Sequence, residues 1–339
     1  ADRLSATAGA YVTWDGQGKP GVLLAGPLAK LTLALAAQGR DVTAIGGLDA
    51  EAGLRSLMVT TGADTGRFAD RNPYVADNAN TFGQAYSVLA LARTKRGVPE
   101  EAVRYLLRTQ CASGGYRLMP GDGTSCLSDA DTTALVVQAL LTVPRTPQVA
   151  DSLARAVGWL LSKQDATTGA FGGTGPTAAV NANSTGLIAQ TLAATGQRDQ
   201  TARAAAWLRS MALTEGRDAG ALAYNADALV DARANGVDDV TRDQWRRSTA
   251  QAVLGLGVPV FGHIGVRDPA PVEPVVPADP GPKDPGPGGP GPGDPGPGGP
   301  DPHGRPVAVA SPATIRPGQT VTVNGRGFGP GRPVTAAIT

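Results

Sequence analysis

Small acid and amide side chains recur along this chain in a fixed phrase that could supply hydrogen-bonding groups or a proton donor. The three copies are Asn78-Ala-Asn80, Asp129-Ala-Asp131 and Asn181-Ala-Asn183. Counted from Asn80 to Asp131 and on to Asn183, the intervals are 51 and 52 residues. In the second copy two carboxyl groups lie close in sequence. Neighbouring carboxyls hold their pKa values apart, so that one of them can keep its proton at neutral pH.

The fixed interval indicates a repeat architecture, in which one supersecondary unit is used several times. Each unit reads as a helix, a Gly-rich turn and a second helix that is apolar on most faces. The second helices are expected at Gly26–Gln38, Thr81–Arg93, Thr132–Thr142 and Ser184–Thr195, with a weaker copy at Asn225–Asn235. The recurring Asn and Asp residues open these helices, where an N-cap role is their plainest interpretation.

The composition divides the chain into three parts. Residues 1–258 carry the helical pattern, and residues 259–304 are expected to form a stalk, because a Pro/Gly-rich segment cannot bury a core and stays extended. Over residues 305–339, alternating apolar segments with Gly-rich turns predict short strands. We interpret them as the truncated start of an Ig-like β-sandwich, since a full sandwich takes about 100 residues.

The two cysteines, Cys111 and Cys126, bracket a Gly-rich loop. A disulfide between them would close a loop of about 15 residues and contribute about 3 kcal/mol in the chain-entropy model. Two free thiols in a reducing compartment, or one end of a metal site, are the alternatives. We favour the disulfide, because both histidines, His263 and His303, lie far downstream. A disulfide indicates an exported protein.

The Gln-containing turns and the phrase that follows them resemble a known superfamily. The turn residues are Gln110, Gly114, Gly115 and Tyr116, with a second copy at Gln164, Gly169, Phe171 and Gly172. Followed by Asp129, Asp131 and Thr132, they are similar to the α/α-toroid repeats of prenyltransferases and squalene/terpene cyclases, also found in cobalamin carriers related to transcobalamin. The resemblance covers about residues 1–258. It implies a mainly α fold, an α/α toroid of about five to six helical hairpins, with the phrase at one rim.

The resemblance offers three activities. A class II terpene cyclase would use Asp131 as general acid and Asp129 as its neighbour, but Thr132 stands where that family has a third Asp. Its cation also needs aromatic faces, and the chain has only 5 Phe, 6 Tyr and 4 Trp. Protein prenyltransferases hold zinc through Asp, Cys and His, and no matching triad is present. A transcobalamin-like corrinoid binder is the third possibility.

We expect instead a non-catalytic binding or adhesion module whose polar rim lies at the inner-helix N-termini. The candidate ligand-binding residues are Asn78, Asn80, Asn181, Asn183, Phe68, Tyr116 and Phe171. The partner would be a small molecule, a glycan or a peptide, and we expect no cofactor, no metal and a monomer. The net charge of +1 gives no indication of nucleic-acid binding, and no apolar run is long enough to span a membrane.

The spacer and the strands after it resemble the stalks of surface-anchored proteins of Gram-positive actinobacteria. This resemblance, together with the predicted disulfide, implies an extracellular protein that is secreted or anchored to the cell wall.

Overall fold

The computed structural model describes residues 2–121, 126–284, 307–311 and 322–326, and these are mainly helical. The chain forms two compact units, Ala1–Gly286 and Pro287–Thr339. The first unit contains all eleven α-helices found among the described residues. None of the described helices has the length and apolar character that crossing a membrane requires.

Helices of two kinds alternate through the first unit. The inner helices are α2 (Ala25–Ala37), α4 (Thr81–Ala92), α6 (Ala130–Leu140) and α8 (Ala182–Ala194). The outer helices are α1 (Asp2–Val12), α3 (Ala50–Ser56), α5 (Glu100–Arg108), α7 (Pro147–Leu161) and α9 (Arg198–Ser210). Two more helices follow, α10 (Ala226–Asn235) and α11 (Arg242–Ala252), and a 3-10 turn at Val253–Leu256 extends α11.

The inner helices pack side by side in chain order, α2 on α4, α4 on α6 and α6 on α8. Each of α3, α5, α7 and α9 packs against the inner helix that precedes it. A helix in this position is covered on most faces, which explains the apolar inner helices: every residue of α6 from Thr132 to Leu140 is buried. The hairpin repeat predicted from the sequence is therefore present.

The end of the row differs from the expected copy at Asn225–Asn235. The helix that packs on α8 is α11 with its 3-10 turn, whereas α10 lies at the edge and exposes Val230. Extensive packing between α2 and α11, which a closed ring would need, is not found among the described residues. The toroid remains an expectation, and the observed arrangement is a row of hairpins.

The glycine of each Gly-rich turn connects one unit to the next. Gly66, Gly114 and Gly169 have φ angles of 94°, 102° and 75°, a region in which side chains other than that of glycine are strained. A Cβ atom at Gly66 would lie 2.0 Å from the Glu101 carbonyl oxygen of α5, and one at Gly114 would lie 2.7 Å from the Arg155 carbonyl oxygen of α7. The turns thus need glycine both for conformation and for close contact with the next outer helix.

Residues 259–284, hereafter the strap, lie against the helices and belong to the same compact unit. The Pro259 carbonyl accepts a hydrogen bond from Gln190 of α8, and the Phe261 amide donates one to Gln138 of α6. Arg93, just after α4, donates to the carbonyl oxygens of Gly262 and Ile264. The strap therefore crosses the carboxyl-terminal ends of the inner helices.

The rest of the strap returns over α8 and α7 to the loop beside the cysteines. The Val275 amide donates to the Thr195 carbonyl, and Val275 is 2% exposed. Further along, the amides of Ala278 and Gly281 donate to the carbonyls of Ala154 and Ser113. We expected a free stalk from residue 259, but an extended segment can satisfy its backbone groups on helix ends and loops, and this one does so as far as Asp284.

The remaining strands are short. In the first unit β1 (Tyr116–Arg117) pairs antiparallel with β2 (Ser128–Asp129). In the second unit β3 (Val307–Ser311) pairs antiparallel with β4 (Thr322–Arg326), with Val309 opposite Asn324. The predicted stalk over residues 285–304 and most of the predicted Ig-like segment lie outside the described residues.

Candidate functional site

The amino-terminal ends of the inner helices are closed by one Asx side chain each. Asn80, Asp129 and Asn181 accept hydrogen bonds from the amides of Gly83, Thr132 and Ser184 at 2.9, 2.7 and 2.9 Å. Helix α2 lacks such a residue, and Asp70 from the next loop accepts from the Ala25 amide at 2.8 Å instead. The N-cap interpretation therefore holds for one residue of each phrase.

The capping residues correct the alignment of the repeats. The sequence phrase matches Asn80 with Asp131, but the structure matches Asn80 with Asp129 and Asn181. The residue four positions after each cap supports this register. Gln84, Thr133 and Thr185 accept hydrogen bonds from the amides of the three turn aromatics, Phe68, Tyr116 and Phe171. The first interval is therefore 49 residues, from Asn80 to Asp129.

The turn aromatics do not face a rim. Phe68 is 1% exposed, and Tyr116 and Phe171 are fully buried. The Tyr116 hydroxyl is hydrogen-bonded to Ser152 of α7, and its burial raises its pKa far above the usual value. These three rings anchor the turns in the core, so the structure does not place them where an external ligand could contact them.

The recurring glutamines of the turns also have structural partners. Gln110 Nε2 donates to the carbonyls of Gly114 and Ser152, and Gln164 Nε2 donates to those of Gly169 and Gln200. At the first Gly-rich turn, the equivalent pair of hydrogen bonds comes from Gln84 of α4, which donates to the Gly66 and Ala102 carbonyls. A glutamine thus joins each turn to the next outer helix, even where it comes from a different element.

Asp131 and Asn183 lie two residues after the caps and do not cap their helices. Asp131 Oδ2 accepts a hydrogen bond from the Ser184 hydroxyl at 3.1 Å, while Asp131 Oδ1 and Asn183 Oδ1 are buried without a hydrogen-bond partner among the described residues. Burial raises the pKa of Asp131 to about 6, an increase that Ser184 opposes and the nearby Asp129 charge adds to. Asp131 is therefore a carboxyl group that takes up a proton just below neutral pH.

A small cavity of about 200 Å³ lies where the amino-terminal ends of α2 and α4 meet. The helices approach closely here because Gly26 and Gly83 face each other. The residues that line the cavity include Lys30, Asp70, Asn78, Asn80, Phe82 and Tyr86. The structure thus brings together two of the predicted ligand-binding residues, Asn78 and Asn80. Asn181, Asn183 and Asp131 lie further along the row and are not among the lining residues of this cavity.

Two aromatic rings and a lysine form one side of the cavity. The Phe82 and Tyr86 rings meet edge to face at 5.4 Å between centroids, and the Lys30 ammonium group lies 5.1 Å from the Tyr86 centroid. Partial burial lowers the pKa of Lys30. Burial raises the pKa of Tyr86 to about 12, with a smaller contribution from Tyr11. At neutral pH the tyrosine hydroxyl therefore remains a hydrogen-bond donor.

Asp70 also lines the cavity. Burial raises the pKa of its carboxyl, the Ala25 amide lowers it, and the neighbouring Asp77 charge raises it again. The cavity therefore offers a cation, a carboxylate, two amides and aromatic surface within a volume close to that of one ring-sized group. Such a combination can hold a ligand that is both polar and ring-shaped.

Lys30, Asp70 and Tyr86 were missed by sequence reasoning. Phe82 and Tyr86 stand four residues apart on α4, a spacing that places them on one helix face and was a usable signal. Lys30 and Asp70 lie outside the repeated phrase, and only the packing of α2 on α4 shows that they meet. Among the described residues, no three His, Cys, Asp or Glu side chains are grouped so that they could hold a metal ion.

The disulfide expected from the sequence is confirmed. Cys111 and Cys126 are bonded and enclose the predicted loop, with a sequence separation of 15 residues. Ser113 and Ser128 lie just inside and just outside this loop, and their hydroxyls are 2.8 Å apart. Both also bind the strap, Ser113 through its carbonyl and Ser128 through its amide, which donates to Asp284 Oδ2.

Comparisons with known proteins give no family for this chain. No family model and no curated protein matches it. A solved structure described as a sugar epimerase from a ruminal bacterium is similar over 74% of this chain and 84% of its own, with 13% sequence identity and a TM-score of 0.42. A likeness this low carries no argument about fold or activity.

Proposed function

We propose that this chain is an exported, non-catalytic binding module that holds its ligand at the amino-terminal ends of the inner helices. The cavity between α2 and α4 carries the proposal, because it combines Lys30, Asp70, Asn78 and Tyr86 at one opening. The ligand would be a sugar ring within a glycan. Hydroxyl groups suit amide, carboxylate and ammonium partners, and the Phe82 and Tyr86 rings supply an apolar surface for the ring.

The position of the strap supports the choice of this end. The strap covers the carboxyl-terminal ends of α8, α6 and α4 through backbone hydrogen bonds and Arg93, so the opposite ends of these helices are the more accessible ones. The cavity size argues for a single ring rather than a large cofactor. A corrinoid is much larger than about 200 Å³, which argues against a transcobalamin-like role.

The disulfide supports export, because disulfides persist in oxidising compartments and are rare in the cytosol. We infer from it, and from the resemblance of the spacer to actinobacterial stalks, that the helical unit is displayed outside the cell. Immunoblots of culture medium, cell-wall and cytosolic fractions of the native host test this inference. Recovery of the protein only from the cytosol contradicts it.

The binding experiment uses the full chain and a panel of immobilised glycans, followed by calorimetry with the best binder. Lys30→Gln removes the cavity cation. Lys19→Gln is the matched control, because Lys19 lies the same 5.1 Å from an aromatic centroid, that of Trp14, but outside the cavity. We expect Lys30→Gln to weaken binding at least about tenfold, the effect of one charge-assisted hydrogen bond, and Lys19→Gln to bind like the unaltered chain.

Two results contradict glycan binding at this cavity. One is the absence of binding to every glycan on the panel, and the other is an equal loss in Lys30→Gln and Lys19→Gln. Asn78→Ala gives an independent check, because the exposed Asn78 side chain can be truncated without opening a core. Asn78→Ala should also weaken binding if this side chain contacts the ligand.

An enzyme of the terpene-cyclase kind is the second candidate, favoured by the pKa of about 6 at Asp131. A buried carboxyl that is partly protonated near neutral pH is a suitable general acid. Incubation of the full chain with polyprenyl substrates, with Asp131→Asn as the inactive control, tests this candidate. Cyclic products that disappear in Asp131→Asn would replace the binding proposal for this end of the row.

A further inference from the structure

A second cavity, of about 660 Å³, lies beside the Gly-rich turn that precedes α4. Three segments form it: the turn after α3, the carboxyl-terminal half of α5, and β1 with the chain that follows it. The residues that line it include Thr61, Ala63, Asp64, Arg67, Tyr105, Arg108, Thr109, Arg117, Pro120 and Gly121. We call it the arginine cavity, because each of the three segments contributes one arginine.

The arginine cavity has an excess of positive charge. Among the described residues named above, Arg67, Arg108 and Arg117 line it together with one carboxylate, that of Asp64. Asp77 lies next to Arg67, 2.6 Å from its Nη2, and counting it leaves three cations against two anions among the described residues at this cavity. Tyr105, which also lines the cavity, is 7% exposed. All three arginines and Asp64 act on its hydroxyl electrostatically, so the charges converge on one place.

Apart from the Arg67–Asp77 ion pair, the arginines are held in position by uncharged carbonyl groups and an aromatic ring. Arg67 Nη2 also donates to the Ala79 carbonyl at 3.1 Å. Arg108 lies over the Tyr105 ring at 5.1 Å and donates to the Thr65 carbonyl at 3.2 Å. Arg117 donates through Nη1 to the Gly121 carbonyl. Each guanidinium has five N–H donors. These contacts use some of them to fix the position of the guanidinium groups and leave the others for a ligand.

One of the remaining donors is buried and unpaired. Within the part of the chain that the structure describes, Arg117 Nε has no hydrogen-bond partner and is shielded from solvent. A buried donor on a charged group is unfavourable when it is unpaired, and native structures pair nearly all such groups. An oxygen atom of a bound anion would provide the missing acceptor, and arginine forks match the oxygen spacing of phosphate, sulfate and carboxylate.

From these observations we propose that the arginine cavity binds an organic ligand through a phosphate, sulfate or carboxylate group, held by Arg67, Arg108 and Arg117. The volume exceeds what a bare ion fills, so the anionic group would be carried on a larger body such as a sugar. The proposal does not depend on the binding function proposed for the inner-helix ends, because the two cavities share none of the lining residues named here.

Calorimetry on the full chain at low ionic strength tests the proposal with four probes. These are glucose 6-phosphate, glucose 6-sulfate, glucuronic acid and uncharged glucose, and inorganic phosphate serves to measure the contribution of the anion alone. We expect at least one charged sugar to bind and glucose not to bind. The strongest of the three charged sugars identifies the anionic group. Its affinity should fall as sodium chloride is raised, since salt screens the attraction.

Two variants and one control assign the binding to this cavity. Arg108→Gln removes an exposed cation, and Arg117→Gln removes the cation with the unpaired donor. Arg104→Gln is the control, because Arg104 is an exposed arginine on the same helix that pairs with Glu100 and Glu101 and is absent from the lining named above. Each of the first two should weaken binding at least about tenfold, and the control should change it less than about twofold.

Circular dichroism and thermal unfolding establish whether Arg117→Gln is folded. If it is not, Arg108→Gln, whose side chain is exposed, decides alone. The proposal is overturned if no charged probe binds at about 10 mM in low salt, a weak limit for a specific site. Equal loss in Arg104→Gln and Arg108→Gln overturns it as well, because binding would then follow overall charge rather than this cavity.

Discussion

The backbone groups at the two ends of the inner helices are hydrogen-bonded in different ways. At the amino-terminal ends, Asx side chains close each helix separately, and polar groups of α2 and α4 surround a small open cavity. At the carboxyl-terminal ends, one continuous segment, the strap, crosses from α8 to α2 and binds through its backbone. One end is therefore built from local signals in each repeat, and the other from a single distant segment.

This difference separates the two ends in their tolerance to change. A change at one cap affects one helix, whereas a change in the strap affects several helices at once. The strap also hides helix ends that would otherwise expose unpaired carbonyls, with Arg93 as the cation at that end. The four predictions below test this comparison, from the largest expected effect to the smallest.

Gly265→Ala should detach part of the strap. Gly265 has a φ of 72°, and a Cβ atom there would lie 1.8 Å from the Ala37 carbonyl oxygen at the end of α2. We expect a loss of about 2–4 kcal/mol in the free energy of unfolding, from strain and overlap together, measured by urea unfolding. Gly257→Ala is the control. Its φ is 106° but no atom lies within 4 Å, so it reports backbone strain alone, about 1–2 kcal/mol. Equal losses would mean that the strap contact contributes nothing.

Reduction of the disulfide should loosen the strap near its far end. The Cys111–Cys126 bond closes the loop that contains Ser113 and ends just before Ser128. The Ser113 carbonyl accepts from the Gly281 amide, and the Ser128 amide donates to Asp284. We expect a loss of about 3 kcal/mol, together with faster hydrogen exchange at residues 278–284. Exchange over 259–266 should remain unchanged. Uniform acceleration along the strap would show that its two halves are not independent.

Asp131→Asn should stabilise the protein at neutral pH. The folded state holds the pKa of Asp131 at about 6, above the usual value of 3.8, so the folded state binds this proton more tightly than the unfolded state does. Stability from this group is therefore complete below about pH 4 and is lost as the pH rises to about 6. The variant should gain about 1–3 kcal/mol at pH 7 and little at pH 4. A gain independent of pH would mean that Asp131 is not the titrating group.

The capping register gives the smallest effects. Asp129→Ala and Asn181→Ala should each lower the free energy of unfolding by about 1 kcal/mol, because each leaves helix amides unpaired. Asn183→Ala removes no cap. It eliminates a buried oxygen that has no partner among the described residues, so it should be neutral or slightly stabilising. Chemical unfolding of the three variants measures these differences. The reverse order would restore the alignment of Asn80 with Asp131.

The elements with local signals could be predicted from the sequence. The second helices were expected at Thr81–Arg93 and Ser184–Thr195 and are found at Thr81–Ala92 and Ala182–Ala194. The disulfide followed from spacing and the Gly-rich loop. Helical periodicity and cap residues are properties of short segments, so they can be recognised without knowledge of the partners.

The rest depends on contacts that no short segment encodes. Two Asx residues two positions apart both satisfy a cap pattern, so only the hydrogen bonds show that Asp129 caps α6 and Asp131 does not. An aromatic residue after glycine suggests an exposed loop, yet Phe68, Tyr116 and Phe171 fill core positions because inner-helix side chains bind their amides. The composition of the strap predicted a segment without helices or strands but gave no sign of its docking surface.

The docking of Gly281 and Asp284 beside the disulfide has a mechanical consequence. Tension applied to the chain beyond Asp284 would enter the helical unit at Ser113 and Ser128, next to a covalent crosslink. We expect the backbone hydrogen bonds of the strap to break one after another before the force unfolds any helix. The detached strap would then extend under the applied force, while the helical hairpins and the cavities that they form keep their structure.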